Sequence, residues 1–332
     1  MPASTLVDIP LIDFAPFLIE DPAAEDRQAQ QQVAKDIFKA CHEVGFLYLK
    51  NHGISQTAIA RTFEQSRTFF DLPLAEKQTV AWSSEFSNRG YVGMERERLD
   101  ESQPGDLKEA FNVGKEISPA DAAENPALVL NRWPAGQDTF RQTVTDFFEQ
   151  CAVGAERMFR AFAIALSMPP DYLAERHQTH GYTLRLLRYP PLGTAPKPGQ
   201  IRAGAHSDYG TLTLLFQDNV GGLEVLSTQG EWIAAPAIPG AVLINTGDLT
   251  QRWSNDVFRS TKHRVALPEG DQVKCDGEAF PSENRYSIAF FCQPDADAEI
   301  TCLPTCYSED NPPKYPPVTS GDYLLSRLSA TY

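Results

Sequence analysis

"HSDYGTLTLLFQD", residues 206–218, joins two kinds of chain. Its second half carries Leu212, Leu214, Leu215 and Phe216 among threonines, the makeup of a buried β-strand. Its first half sets an imidazole and a carboxylate two residues apart at the mouth of that strand. On extended chain, side chains two apart share a face, so His206 and Asp208 are expected to point the same way and Ser207 the other. Burying such groups without partners is costly, so this stretch implies something for them to hold.

Working outward, the segments "YTLRLLRY", "TLTLLFQ", "GLEVL", "EWIAAP", "AVLINT", "KHRVAL" and "RYSIAFFC" all read as short strands. Turn residues such as Gly221-Gly222, Pro239-Gly240 and Asn255-Asp256 separate them. Many short strands with regular turns predict a sandwich or jelly-roll barrel. Upstream the apolar period is helical instead. Val33, Ile37, Phe38, Cys41 and Val44 mark one helix stopped by Gly45, and "FLYLKNHG" reads as a short strand and turn. Ser55 caps a second helix through Ile59, Phe63 and Phe70 that ends near Pro73. A third spans about 138–168, with Phe140, Val144, Phe147, Cys151, Met158, Phe162 and Leu166 on one face, closed by Pro169-Pro170. Helices first and strands second predict an α+β fold with the helices packed outside the barrel.

The chain has 332 residues, 42% of them apolar, enough for a large core, and its net charge of −15 repels polyanions, which argues against nucleic acid as a partner. The N-terminus lacks a basic region and meets Asp8 before any long apolar run, so it is not read as a signal peptide, and no apolar stretch reaches membrane-spanning length. Six cysteines (Cys41, Cys151, Cys275, Cys292, Cys302 and Cys306) fall at irregular spacings without a Cys-x-x-Cys, which predicts free thiols and a cytoplasmic setting. A Gly-rich phosphate loop, a Gly-x-Ser-x-Gly elbow and a His-Glu-x-x-His helix are all missing, which removes the commonest nucleotide, hydrolase and zinc-protease readings.

Standing alone, His206-x-Asp208 reads more readily as a hydrogen-bonded core pair. It also supplies two-thirds of a 2-His-1-carboxylate facial triad, the ligand set of non-haem Fe(II) oxygenases. The second histidine must come from elsewhere. His263 is the single one downstream, in "TKHRVAL", while His42, His52, His177 and His180 lie upstream. Three ligands on one face leave room for a chelating cosubstrate and dioxygen. A 2-oxoacid with a distal carboxylate needs a cation at the far end of its pocket, and Arg285 and Ser287 of "RYSIAFFC" share a strand face. Tyr189, ending the face Arg185-Leu187-Tyr189, offers a phenol to the same carboxylate.

Together, His206-x-Asp208, "NTGDLTQRWSNDVFRSTKHRV" (245–265) and Arg285-x-Ser287 resemble the isopenicillin N synthase-like branch of the Fe(II)/2-oxoglutarate-dependent dioxygenases. "IPLIDF" (9–14), "ACHEVGFLYLKNHGI" (40–54) and "FFDLPLAEK" (69–77) are similar to that family's N-terminal region, so the likeness covers nearly the whole chain. It implies a distorted double-stranded β-helix holding Fe(II), with 2-oxoglutarate as cosubstrate and O2 as oxidant, hydroxylating, desaturating or cyclising a small organic molecule with release of succinate and CO2. By position, His206, Asp208 and His263 match the metal ligands, Arg285 and Ser287 the pair holding the C5 carboxylate, and Tyr189 the assisting phenol. One departure stands out: Leu187-Arg188-Tyr189-Pro190 replaces the Asn-Tyr-Tyr-Pro of many members, so an amide is missing.

The resulting organisation is an N-terminal, mainly helical region over 1–115, a long helical segment over 116–180, a catalytic barrel over 181–295 and a C-terminal segment over 296–332, forming one unit. Period-2 extension from Arg285 places Ala289, Phe291 and Gln293 inward. Phe291 and Gln293 are therefore candidate substrate contacts, and Arg185, from its own strand, is a candidate to meet an anionic or polar group of the substrate. The segment 87–114 resembles the family's substrate-covering loop, which adds Tyr91 and Phe111, and its "MERERLDE" reads as an exposed charged strip. Two rival readings share the fold: an iron oxidase that needs no 2-oxoglutarate, and a non-catalytic small-molecule receptor. The sequence leaves the oligomeric state open.

Overall fold

A computed structural model describes residues 9–82, 88–100, 102–125, 128–192, 195–267 and 283–331. The first half of the chain supplies four strands, β1 (Leu11–Asp13), β2 (Phe46–Lys50), β3 (Gly90–Val92) and β4 (Glu109–Val113), as well as helices α1 (Ala24–Glu43), α2 (Gln56–Phe70), α3 (Leu74–Thr79), α4 (Pro119–Glu124) and α5 (Asp138–Ala165). The remainder forms β5 (Thr183–Tyr189), β6 (Ala203–His206), β7 (Leu212–Gln217), β8 (Leu223–Leu226), β9 (Trp232–Ala234), β10 (Ala241–Thr246), β11 (His263–Val265) and β12 (Arg285–Cys292). Helix α6 (Asp248–Trp253) interrupts them, and β13 (Glu299–Ile300), β14 (Val318–Thr319) and α7 (Ser320–Thr331) follow.

The strands make an α+β fold with a jelly-roll core. One sheet runs β1-β2-β10-β7-β12-β5-β4-β3 and the other β6-β11-β8-β9. Within both, every pairing is antiparallel except β1 with β2. Alternation along each strand sorts the side chains. Leu212, Leu214 and Phe216 of β7 join a core with α1, α2 and α5, where Phe147, Phe148, Phe159 and Phe162 are fully buried. The opposite faces form a second cluster in which Phe46, Tyr48, Leu187 and Leu243 of the large sheet meet Ala203, Leu223, Val225 and Val265 of the small one, so the two sheets face each other.

The helical boundaries follow their expected signals closely. Ser55 Oγ accepts from the Ala58 amide at the start of α2. Gly45 takes φ +80° after α1, where a Cβ would come within 2.7 Å of the Arg259 carbonyl oxygen. Helix α5 ends at Ala165, before the prolines, because Ser167 turns left-handed at φ +56°. One expectation needs amending: residues 1–115 do not merely pack helices on a barrel. Their strands extend both ends of the large sheet, β1-β2 beside β10 and β4-β3 beside β5. Among the described residues no helix is long and apolar enough to cross a membrane. Cys41, Cys151, Cys292, Cys302 and Cys306 are free thiols, and Cys275 lies outside the described residues.

Candidate active site

His206 ends β6, and Asp208 lies in the turn leading to β7 rather than on the same strand. Their convergence therefore comes from the turn and not from strand alternation. His263 opens β11 and is the register partner of His206. The Nε2 atoms of His206 and His263 stand 3.9 and 3.8 Å from Asp208 Oδ1, and one ligand atom from each residue falls within 4.8 Å of the others. The remaining polar atoms are occupied in a way that aims these three. His206 Nδ1 bonds to the Gly204 carbonyl at 2.8 Å, and His263 Nδ1 to the Thr261 carbonyl at 3.3 Å. Asp208 Oδ2 accepts from Thr213 Oγ1 at 2.6 Å and Asn245 Nδ2 at 2.7 Å. Phe46 of β2 stands edge-on to His263. Outer contacts of this kind set the tautomer and direction of metal ligands.

Electrostatics agree with the geometry. Burial pushes His206 down to about 3, helped by the facing His263. Burial works to raise Asp208, but the two imidazoles and its two hydrogen bonds outweigh it and hold the carboxyl below its usual range. An uncharged His206 beside an ionised carboxylate is the state in which these side chains bind a divalent cation. The other four histidines are engaged elsewhere. His177 bonds the Leu173 carbonyl and Thr211 Oγ1, His52 accepts from the Ile54 amide, His42 bonds the Val257 carbonyl and His180 meets Glu156.

The triad opens into a cavity of about 330 Å³. Arg285, Ser287, Ala289, Phe291 and Gln293 all line it, as the alternation along β12 predicts, and so do Arg185, Leu187 and Tyr189 of β5. Arg285 is 1% exposed, and among the described residues it meets no carboxylate. Its Nη2 donates to Gln217 Oε1 at 2.9 Å, its Nη1 to Ser287 Oγ at 3.4 Å, and its cation lies 4.7 Å from the Tyr189 ring, while Nε has no partner among the described residues. A buried guanidinium with spare donors and no counter-ion among those residues suits an anionic ligand end.

Two expected contacts do not line the cavity. Tyr91 and Phe111 lie in the outer core with Phe69 and Phe140, and the Tyr91 hydroxyl donates to Glu109. Register explains it: Asn112 of β4 faces the cavity, so its neighbour Phe111 faces away. The charged strip also reads differently, because Glu97 is 3% exposed and forms part of the cavity wall. The sequence reading missed Thr213, Asn245, Asn88, Asn112, Glu97, Lys108 and the leucines Leu324, Leu325 and Leu328 of α7, all cavity-lining. Polar residues on otherwise apolar strands, Thr213 in "TLTLLF" and Asn245 in "AVLINT", were the available signal.

A jelly-roll with a His-Asp-His centre beside a buried arginine defines a non-haem iron oxygenase, and comparison with known proteins specifies the kind. Residues 9–136 match the model for the non-haem dioxygenase in morphine synthesis N-terminal region, and 181–294 that of the 2OG-Fe(II) oxygenase superfamily. The chain belongs to that superfamily, in its isopenicillin N synthase-like branch, and is a 2-oxoglutarate-dependent enzyme using Fe(II) and O2. It is 34% identical to the 2-oxoglutarate-dependent dioxygenase frbA of Dothideomycetidae sp. (strain 11243), covering 98% of each chain. It is 30% identical to homoarginine-6-hydroxylase 2-ODD-C23 of Glycine max, covering 99% of each. A full-length Neurospora crassa protein, crystallised with alpha-KG and thymine, is similar with a TM-score of 0.83 and 38% identity over 98% of this chain and 97% of that one. The same protein has also been crystallised with alpha-KG and 5-formyluracil.

Proposed function

We propose that the enzyme oxidises the exocyclic methyl carbon of a small pyrimidine base of the thymine type. The observation that carries the reading is the wall facing the triad. Phe291 supplies an apolar aromatic surface, Arg185 a donor, and Gln293 and Asn112 two side-chain amides in the lining. Side-chain amides carry both an acceptor and donors, which suits a ligand bearing C=O and N–H groups. A flat ring with both carbonyl and N–H edges meets all four. The likeness to the Neurospora crassa protein supports the choice, since the thymine and 5-formyluracil of its crystals differ only in the oxidation of that methyl group.

In this reading His206, Asp208 and His263 hold the iron, with Thr213 and Asn245 fixing the carboxylate, while Arg285 and Ser287, backed by Tyr189 and Gln217, hold the C5 carboxylate of 2-oxoglutarate. When bound, Fe(II), 2-oxoglutarate and O2 supply the oxidation, which places one oxygen atom on the substrate and releases succinate and CO2. The protein's own part is to orient the methyl group toward the open side of the triad and to exclude bulk water. Leu324, Leu325 and Leu328 of α7 add apolar surface to the cavity lining. We also infer a cytoplasmic setting, which the free thiols support.

The test is thymine-dependent succinate release by the Fe(II) enzyme with 2-oxoglutarate, with product mass measured in parallel. A product heavier by one oxygen atom is expected. Succinate release that thymine, uracil and 5-formyluracil all leave unchanged would overturn the substrate class.

A further inference from the structure

Arg185 does not stand alone in the cavity wall. Its Nη2 lies 2.5 Å from Glu97 Oε2, and the same oxygen lies 3.3 Å from Lys108 Nζ. Lys108 in turn meets Asp106 Oδ2 at 2.8 Å, and Asp106 Oδ1 accepts from the Gly204 amide of β6 at 2.9 Å. Glu97, Asp106 and Lys108 are each at most 5% exposed. Among the described residues these two acids and two cations join in one cluster between the strand bearing His206 and the strand bearing Arg185.

The pairing within the cluster is unequal. Asp106 sits nearer Lys108 than Glu97 does and neutralises it, which leaves Glu97 as the counter-ion of Arg185. Buried ion pairs add little net stability, because desolvation offsets their attraction. What such a pair does supply is direction: a guanidinium is a flat, rigid fork, and fixing one edge sets where its other donors point. Arg185 keeps 12% of its side chain open, on the cavity it lines, where a ligand can meet it.

Resting on the pyrimidine reading above, we propose that Glu97 is a positioning residue for the reaction: it holds the Arg185 guanidinium as a preset donor for a substrate carbonyl, with Lys108 steadying Glu97 from behind. Without Glu97 the guanidinium loses the ion pair that fixes one of its edges, so each arriving substrate meets a less well aimed donor, which weakens binding and spares the chemical step.

The test is a double-mutant cycle on the Fe(II) enzyme with Glu97→Gln, Arg185→Gln and both together, reading succinate against thymine concentration. Glu97→Gln should raise the thymine KM about ten-fold, with kcat within about three-fold and the 2-oxoglutarate KM unchanged. In the Arg185→Gln background it should change nothing further. A full additive loss in the double variant, or a change confined to kcat or to the 2-oxoglutarate KM, would overturn the proposal. Glu97→Asp, which keeps the charge but withdraws it, should fall between wild type and Glu97→Gln, and it serves if the glutamine variant does not fold. Wild-type enzyme inert to thymine would sink the substrate reading alone. Crystals of wild type and Glu97→Gln with Fe(II) and 2-oxoglutarate then decide: a turned Arg185 supports the positioning role, and an unmoved one refutes it.

Discussion

His206 and His263 are register partners across the antiparallel β6–β11 pair, with ring centroids 4.3 Å apart. Two histidines remote in sequence thus come close enough to share one ion because a strand ladder sets them opposite each other. His263→Ala should abolish iron binding and turnover while the far-ultraviolet circular dichroism stays that of wild type. Asn245→Ala removes only a bond to Asp208, so iron affinity should fall on the order of 10–100-fold, measured by competition with a chelator.

Arg285→Gln removes a buried cation that meets no acid among the described residues. The 2-oxoglutarate KM should rise on the order of 100-fold, with Fe(II) affinity unchanged. Anaerobic titration with 2-oxoglutarate, following its weak visible charge-transfer band on iron, checks this; an unchanged midpoint would place the carboxylate's partner elsewhere.

Phe111 packs against Phe69, Phe140 and Trp133 on the side of the sheet away from the cavity. Phe111→Ala should therefore cost about 3–5 kcal/mol in urea unfolding and leave the substrate KM as it was. Phe291→Ala should do the reverse, raising KM with little change in the unfolding midpoint.

His177 is buried against Phe159, and burial pushes its pKa down to about 4. An imidazole lowered on folding refuses a proton that the unfolded chain accepts. Its stabilising share is complete above the unfolded value near 6.5 and is lost as pH falls toward 4. By about pH 5 the loss reaches about 2 kcal/mol. Urea midpoints measured down the pH scale should show it, and His177→Gln should flatten the decline.

How far the sequence led depended on which side chains alternation could sort. Along β12 the period of two placed Arg285, Ser287, Phe291 and Gln293 on one wall without knowledge of any neighbour. For β4 the same rule gave no answer, because nothing local says whether Phe111 or Asn112 faces the cavity; that depends on its register with β5. Glu97 was hidden for a different reason. Within "MERERLDE" it is one charge among many, and the approach of Lys108 and of Arg185, 88 residues further on, makes a buried carboxylate tolerable there. Asp208 converged with His206 as expected, though by way of a turn.

Strand β2 lies between β1 and β10, and its Phe46 rests against His263. The amino-terminal portion is thus woven into the catalytic one: Asn245, which steadies Asp208, is the register partner of Phe46. A fragment begun at residue 181 would bare a hydrogen-bonding edge on β10 and take away the aromatic wall beside His263. Chimeras that exchange this portion between relatives to alter substrate choice will accordingly disturb the His-Asp-His cluster as well.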